Sequence, residues 1–236
     1  MRNIIATLAL LTLSFTALHA QDEKMNSNAT PSSVVKGSRD FVMLQFGYNT
    51  WLQKPDSIKT KTFGYMFNAY LCYDFPIKKS HLSFATGLGV STSVIYLDKQ
   101  VIESSDTGTL GAQAHFYDDS KYKRYKFVTT YLQAPFELRY FGNNLNRNKG
   151  FKAAIGLQVG TLLGGHTKGT YAVEGTNVKD KVDTKRYLSS WNFAATARIG
   201  WGNFSIFGSY NLTNVYKENS GPTLTPASAG ITLTGL

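Results

Sequence analysis

From Phe63 to Phe75 the chain alternates without a break. Phe63, Tyr65, Phe67, Ala69, Leu71, Tyr73 and Phe75 share one parity; Gly64, Met66, Asn68, Tyr70, Cys72 and Asp74 share the other. Successive strand side chains point to opposite faces, so one face is apolar and rich in aromatics while the other is mixed and largely polar. The pattern recurs along most of the chain behind an export signal. Together these features predict an all-β fold: an eight-stranded antiparallel up-and-down transmembrane β-barrel of a bacterial outer membrane, with lipid outside and a polar lumen inside.

Residues 1–20 are read as a signal peptide. Arg2 supplies the positive start, Ile4 to Leu18 carries no charge, and Leu18-His19-Ala20 places a small residue before a cut near Ala20. A transmembrane helix would need ~20 apolar residues, more than this stretch holds. No cysteine follows the cut, so a lipoprotein anchor is not indicated. Residues 21–38, polar and rich in Ser and Asn, are expected to form a flexible periplasmic tail, and residues 39–236 the barrel domain. The single cysteine, Cys72, excludes an intramolecular disulfide. With Met66 and Tyr70 beside it on the inner face, it is read as filling space rather than as a reactive thiol.

Eight alternating segments follow, at about Asp40–Trp51, Phe63–Phe75, His81–Tyr96, Phe127–Phe141, Phe151–Leu163, Tyr187–Trp201, Phe204–Leu212 and Thr223–Leu236. In the fourth, Val128, Leu132, Ala134, Phe136, Leu138 and Tyr140 are assigned to lipid, and Gln133, Pro135, Glu137 and Arg139 to the lumen. Pro135 removes a ladder donor and should mark a bulge or a weakened pairing. In the third, Val94 is assigned outward. Gly202-Asn203 reads as a two-residue hairpin.

Connectors alternate in length. Pro76–Ser80, Gly142–Gly150 and Gly202–Asn203 are short, whereas Leu52–Lys61, Leu97–Lys126, Gly164–Arg186 and Thr213–Pro222 are longer. Short turns on one side and long loops on the other are the asymmetry of outer membrane barrels, with short turns periplasmic. Aromatics on the apolar parity sort into two bands. Tyr73, Phe75, Tyr140, Phe151, Trp201 and Phe204 lie near the short turns, and Tyr48, Tyr187, Trp191 and Tyr210 near the long loops, as amphipathic rings at two lipid–water interfaces would.

Three segments carry a family resemblance: His81-Leu-Ser-Phe-Ala-Thr-Gly-Leu-Gly-Val90, Tyr131-Leu-Gln-Ala-Pro-Phe-Glu-Leu-Arg-Tyr140 and Gly150-Phe-Lys-Ala-Ala-Ile-Gly-Leu-Gln-Val159. In them the chain resembles the PorT-like outer membrane β-barrel family, similar in architecture to small barrels of OmpA and OmpX type. The resemblance implies a fold and a membrane and carries over no catalytic residue. One departure is the C-terminus, Thr234-Gly235-Leu236, where many barrels end in an outward aromatic residue.

Net charge is +10, or +9 without Arg2. The basic residues cluster at segment ends rather than along one stripe, which argues against nucleic acid and for lipid headgroups or lipopolysaccharide phosphates at both rims. Other expected partners are the barrel assembly machinery and an extracellular or envelope protein reached through loops 97–126 and 164–186. No cofactor is indicated.

Five charged residues share lumen parity near the short turns: Asp74, Glu137, Arg139, Lys152 and Arg198. Two acids and three bases in a narrow interior should pair, since an isolated buried charge is costly. They are read as a plug in preference to an ion gate. Catalysis is not expected, because it needs a base within reach of a nucleophile and a third group orienting it. The enzymatic alternative, a barrel processing lipid or peptide, would centre on His115 or His166. Asp98, Glu103, Asp106, Asp118 and Asp119 lack the spacing of a Ca²⁺ loop. With Lys99, Lys121, Lys123, Arg124 and Lys126 they make segment 97–126 read as a mixed, solvated loop.

Overall fold

A computed structural model describes residues 41–61, 63–77, 80–105, 113–143 and 149–235. The signal peptide at 1–20, the tail at 21–38, and Lys78, Lys79, Asp106 and Arg147 lie outside the described residues.

The strands are β1 (Val42–Leu52), β2 (Tyr65–Pro76), β3 (Leu82–Leu97), β4 (Gln100–Ser105), β5 (Gln113–Asp118), β6 (Arg124–Phe141), β7 (Phe151–Val173), β8 (Thr176–Asp183), β9 (Trp191–Trp201), β10 (Phe204–Asn211) and β11 (Thr225–Thr234). Eight of them close a ring in the order β1-β2-β3-β6-β7-β9-β10-β11, and β11 pairs back onto β1. Every pairing in the ring is antiparallel, between consecutive barrel strands except where the last closes onto the first, so each ladder is made inside the ring and the described strands leave no barrel edge. Gly202 takes φ +61 at the first position of the β9–β10 turn, a conformation that favours glycine.

Register follows the alternation. Gln45, Gly47 and Asn49 of β1 are buried, while Phe46 and Tyr48 are exposed; in β6, Gln133, Pro135, Glu137 and Arg139 are buried while Phe136, Leu138 and Tyr140 are exposed. The last strand sets Ala229, Ile231 and Leu233 opposite Tyr48, Phe46 and Leu44, on the outward parity. Pro135 weakens the β3–β6 ladder without shifting it. The pairs Thr86–Phe136 and Gly89–Gln133 stand on either side of an interruption, and the offset is the same before and after. A β-bulge lies elsewhere, on the β6–β7 ladder between Thr130 and Tyr131, where an extra residue around Leu163 reverses the parity of β7 above it.

The long-loop end departs from the sequence reading. Gly164–Arg186 is not a loop: β7 runs on to Val173 and turns through Glu174-Gly175 into β8. Segment 97–126 is not a simple solvated loop, because it folds into the β4–β5 hairpin and buries Val101, Ile102 and Ala114. Tyr187 lies in a short 3-10 helix, Lys185–Tyr187, and is buried, so it is not part of the outer aromatic band. Val94 keeps outward parity yet is only 3% exposed. Val94 and Tyr187 are buried by groups that local periodicity does not place beside them.

Candidate functional site

The lumen is occupied at three levels, and the strand register dictates what sits in each. Nearest the short turns, two register rows alternate large charged residues with small ones. One row runs Asp74–Ala85–Glu137–Gly156, and the next runs Ser83–Arg139–Ala154–Arg198. The small residues provide the room: a Cβ on Gly156 would stand 3.1 Å from Glu137 Cγ and 2.2 Å from the Phe136 carbonyl oxygen.

Into that room the charges converge. Arg139 donates from Nη1 to Asp74 Oδ1 at 2.7 Å and from Nε to Glu137 Oε2 at 2.7 Å. Arg198 donates from Nη2 to the same Glu137 Oε2 at 2.8 Å. Glu137 and Arg139 are 2% and 1% exposed, so these are charge-assisted bonds in a nearly water-free setting. Lys152 is buried one row nearer the turn, its Nζ 5.6 Å from the centroid of the Phe141 ring. Of the five charged residues singled out in the sequence, Asp74, Glu137, Arg139 and Arg198 therefore form one connected cluster, and Lys152 lies beside it at Phe141.

The middle level is neutral and polar. The Tyr70 hydroxyl donates to Gln133 Oε1 at 2.7 Å, and Gln133 Nε2 donates to Asn192 Oδ1 at 2.9 Å, joining β2, β6 and β9 across the lumen. Asn68 Nδ2 donates to Gln45 Oε1 at 3.0 Å, and Gln45 Nε2 donates to Thr232 Oγ1 at 3.2 Å. Gly89 makes way for the Tyr70 ring, since a Cβ there would stand 2.5 Å from it. Cys72 is buried against Met43 and Tyr70. A cavity of ≈ 50 Å³ remains above this level, lined by Asn49, Ser91, Gln158, Asn192 and Ser228 among others. That is room for a few waters only.

The third level is apolar. Trp51 of β1 meets Phe127 of β6 edge-on at 5.7 Å and Phe116 of β5 at 6.3 Å; Tyr216, between β10 and β11, stands 6.4 Å from Phe116 and 6.3 Å from Phe127. Trp51, Phe127 and Tyr216 belong to one cluster of sixteen buried hydrophobic residues among the described ones, which also takes in Ile58, Leu188 and Leu224 from separate connectors and Leu97 from the end of β3. Backbone and side-chain bonds fasten the lid. Lys59 N donates to Gln100 Oε1 at 2.7 Å, Ala114 N to the Ser220 carbonyl at 2.9 Å, and Lys217 N to the Tyr187 carbonyl at 3.0 Å. Lys59 Nζ also meets Asp118 Oδ2 at 3.0 Å. That bond and the one from Gln100 hold the Asp118 carboxyl below the usual carboxylate range.

The sequence reading missed this lid. Its signal lay in the inward parity of β1, β6 and β7, which turns from polar to apolar at Trp51, at Tyr131, Phe127 and Tyr125, and at Leu162 as each strand nears the long loops.

His115 and His166 lie on different elements. His115 is exposed on β5, paired with Glu103 of β4, and lines a groove of ≈ 310 Å³ between loops. His166 lies on the outward face of β7, opposite Val128 and Asp183. Partial burial and the cations Lys181 and Lys126 push its pKa below the ordinary value. Among the described residues neither imidazole is hydrogen-bonded to a hydroxyl or thiol. The acids of segment 97–126 are also dispersed: Asp98 faces Lys61 at 4.0 Å, Asp118 meets Lys59, and Asp119 accepts from the Lys121 backbone at 2.8 Å.

Comparison with a family model agrees with this architecture. No curated protein matches the sequence. Among solved structures, the chain is similar to Ail, the attachment invasion locus protein of Yersinia pestis, at 13% identity and a TM-score of 0.35, covering 81% of this chain and 95% of that one. It is also similar to a triple mutant of the Rhodopseudomonas blastica porin at 9% identity and a TM-score of 0.21, covering 81% and 98%. Residues 20–217 match the model of the outer membrane protein beta-barrel domain. The chain belongs to that family, and its place is the bacterial outer membrane.

Proposed function

We propose that the protein is a non-catalytic outer membrane barrel whose lumen is closed to bulk solute and whose folded long-loop end is a binding platform. The observation that carries this reading is closure at two separate levels. The carboxylate–guanidinium cluster joins β2, β6 and β9 near the short turns, and the aromatic lid spans the opposite mouth. Eight-stranded interiors are just wide enough for side chains to fill, and this one is filled. A lid of buried aromatics also gives the long-loop end a defined shape, which a partner can recognise.

In this reading the short turns, the start of β1 and the end of β11 face the periplasm and the β4–β5 and β7–β8 hairpins face outward, as the difference in connector length supports. A leader removed near Ala20 supplies export. The motifs of β3, β6 and β7 support a place among the PorT-like members of the family. Planar-bilayer recording of the purified, refolded barrel tests closure. No large, stable conductance is expected; general-diffusion conductance from the wild-type protein would overturn the reading and make it a porin.

A further inference from the structure

The upper parts of β6, β7 and β8 form a three-stranded sheet with two unlike faces. The inner face packs on the lid: a Cβ on Gly169 would stand 2.3 Å from the Tyr122 ring, and one on Gly165 would stand 2.1 Å from Leu188. The outer face, by register, carries Arg124, Lys126 and Val128 of β6, His166, Lys168 and Thr170 of β7, and Lys179, Lys181 and Asp183 of β8.

Three of these residues stand in one row. Lys126 is the register partner of Lys168, and Lys168 of Lys181, so three ammonium groups are neighbours across three strands, with Arg124 and Lys179 in the next row. Like charges directly opposite each other destabilise a ladder. Asp183 is the single carboxylate on this face, and among the described residues none of the five basic side chains lies within ion-pair distance of a carboxylate. The His166 pKa is depressed first by partial burial and then by Lys181 and Lys126 on the same face. Such a row attracts anions from outside the chain.

Its height shows which anions are at hand. On β9 the exposed residues Trp201 and Trp191 stand ten residues apart, the length of one membrane-spanning strand. The Trp191 row continues through Thr161 to Leu132. Lys126 lies six residues beyond Leu132 on β6, ~15 Å along the barrel axis at the usual strand rise and tilt. The lysine row thus stands past the hydrocarbon edge, on a face continuous with the lipid-facing surface.

We propose that the Lys126–Lys168–Lys181 row, flanked by Arg124 and Lys179, binds the phosphates of a phosphorylated glycolipid in the outer leaflet. The proposal rests on the outward orientation of the long-loop end, which is tested separately: a cysteine introduced as Glu174→Cys is labelled in intact cells by an impermeant maleimide if that orientation holds.

Binding is measured on the full barrel, refolded and checked for folding by its gel mobility without boiling. The probes are bisphosphorylated lipid A in detergent micelles, dephosphorylated lipid A in the same micelles, and inorganic phosphate alone. The wild-type protein should prefer the bisphosphorylated form. Lys126→Gln/Lys168→Gln/Lys181→Gln should lose about tenfold in affinity for it, as three partly exposed ion pairs would, while the matching triple Arg variant should retain binding. Lys181→Gln alone, on the outermost strand, should lose about twofold and serves if the triple variant does not fold. Unchanged affinity in the Gln variants would overturn the proposal. So would an equal loss on neutralising Lys54, Lys99 and Lys217 elsewhere on the long-loop end, or inorganic phosphate competing as well as the lipid. Labelling of Glu174→Cys from outside with no lipid preference would overturn the site and leave the orientation standing.

Discussion

Asp74, Glu137, Arg139 and Arg198 occupy one end of the lumen, and Trp51, Phe116, Phe127 and Tyr216 the other. Both groups close the same barrel, by opposite means. The charged cluster is assembled from strand residues alone, each directed inward by its parity, and it holds together through three short bonds between ionised groups. The aromatic lid draws on one residue from a strand tip, one from a hairpin, one from a strand and one from a connector. Its cohesion is apolar burial and ring packing, which is less directional. The cluster therefore belongs to the barrel and should be lost only with it, whereas the lid can loosen while the strands stay paired.

Removing a single carboxylate should give the largest effect. Glu137→Ala leaves two buried guanidinium groups facing one another and should cost about 3–5 kcal/mol, read as a lower urea midpoint for the whole barrel. A change no larger than that of an exposed loop charge would show that the cluster is not an integral part of the fold. Truncation in the lid should cost about 2–5 kcal/mol locally. Leu188→Ala, at a fully buried site, is expected to expose segments 100–118 and 176–189 to protease while the unboiled gel mobility stays that of the folded barrel. Simultaneous loss of both signals would mean that lid and barrel are one cooperative unit.

A smaller effect separates packing from hydrogen bonding. Tyr216 Oη is buried without a hydrogen-bond partner among the described residues, and burial pushes its phenol pKa up. Tyr216→Phe keeps the ring and removes the orphaned hydroxyl, so stability should be unchanged or rise by about 1 kcal/mol; a clear loss in thermal midpoint would reveal a bond that the static arrangement does not contain. The smallest effect is a pH dependence of the latch between Lys59 and Asp118. The folded pKa of Asp118 is lowered, so its contribution is present above the ordinary carboxylate pKa of about 4 and fades as pH falls through the folded value. Amide exchange around Lys59 should rise modestly in that acidic window, and Asp118→Asn should abolish the dependence.

One expectation changes once the middle level is seen. Alternation alone makes Gln133→Arg harmless because Gln133 faces the lumen. The Gln133 amide is instead bonded to both Tyr70 and Asn192, and an arginine there would break two buried bonds and add a charge. Parity specifies which side a residue occupies, not what waits there.

Strand parity, the eight-strand count, the Gly202-Asn203 turn and the inward direction of all five charged residues were legible in the sequence, because a period of two is a local property of backbone geometry. The lid was not. Trp51, the Tyr187-Leu188 pair and Tyr216 lie far apart along the chain, and only closure of the ring brings their segments over one mouth, where apolar surface from each finds a partner in the others. The extension of β7 beyond Leu163 escaped for a related reason: glycines at 164, 165 and 169 read as loop, yet Gly165 and Gly169 pack where larger residues would strike Leu188 and Tyr122. Local periodicity set the faces of each strand, and long-range packing decided what those faces enclose.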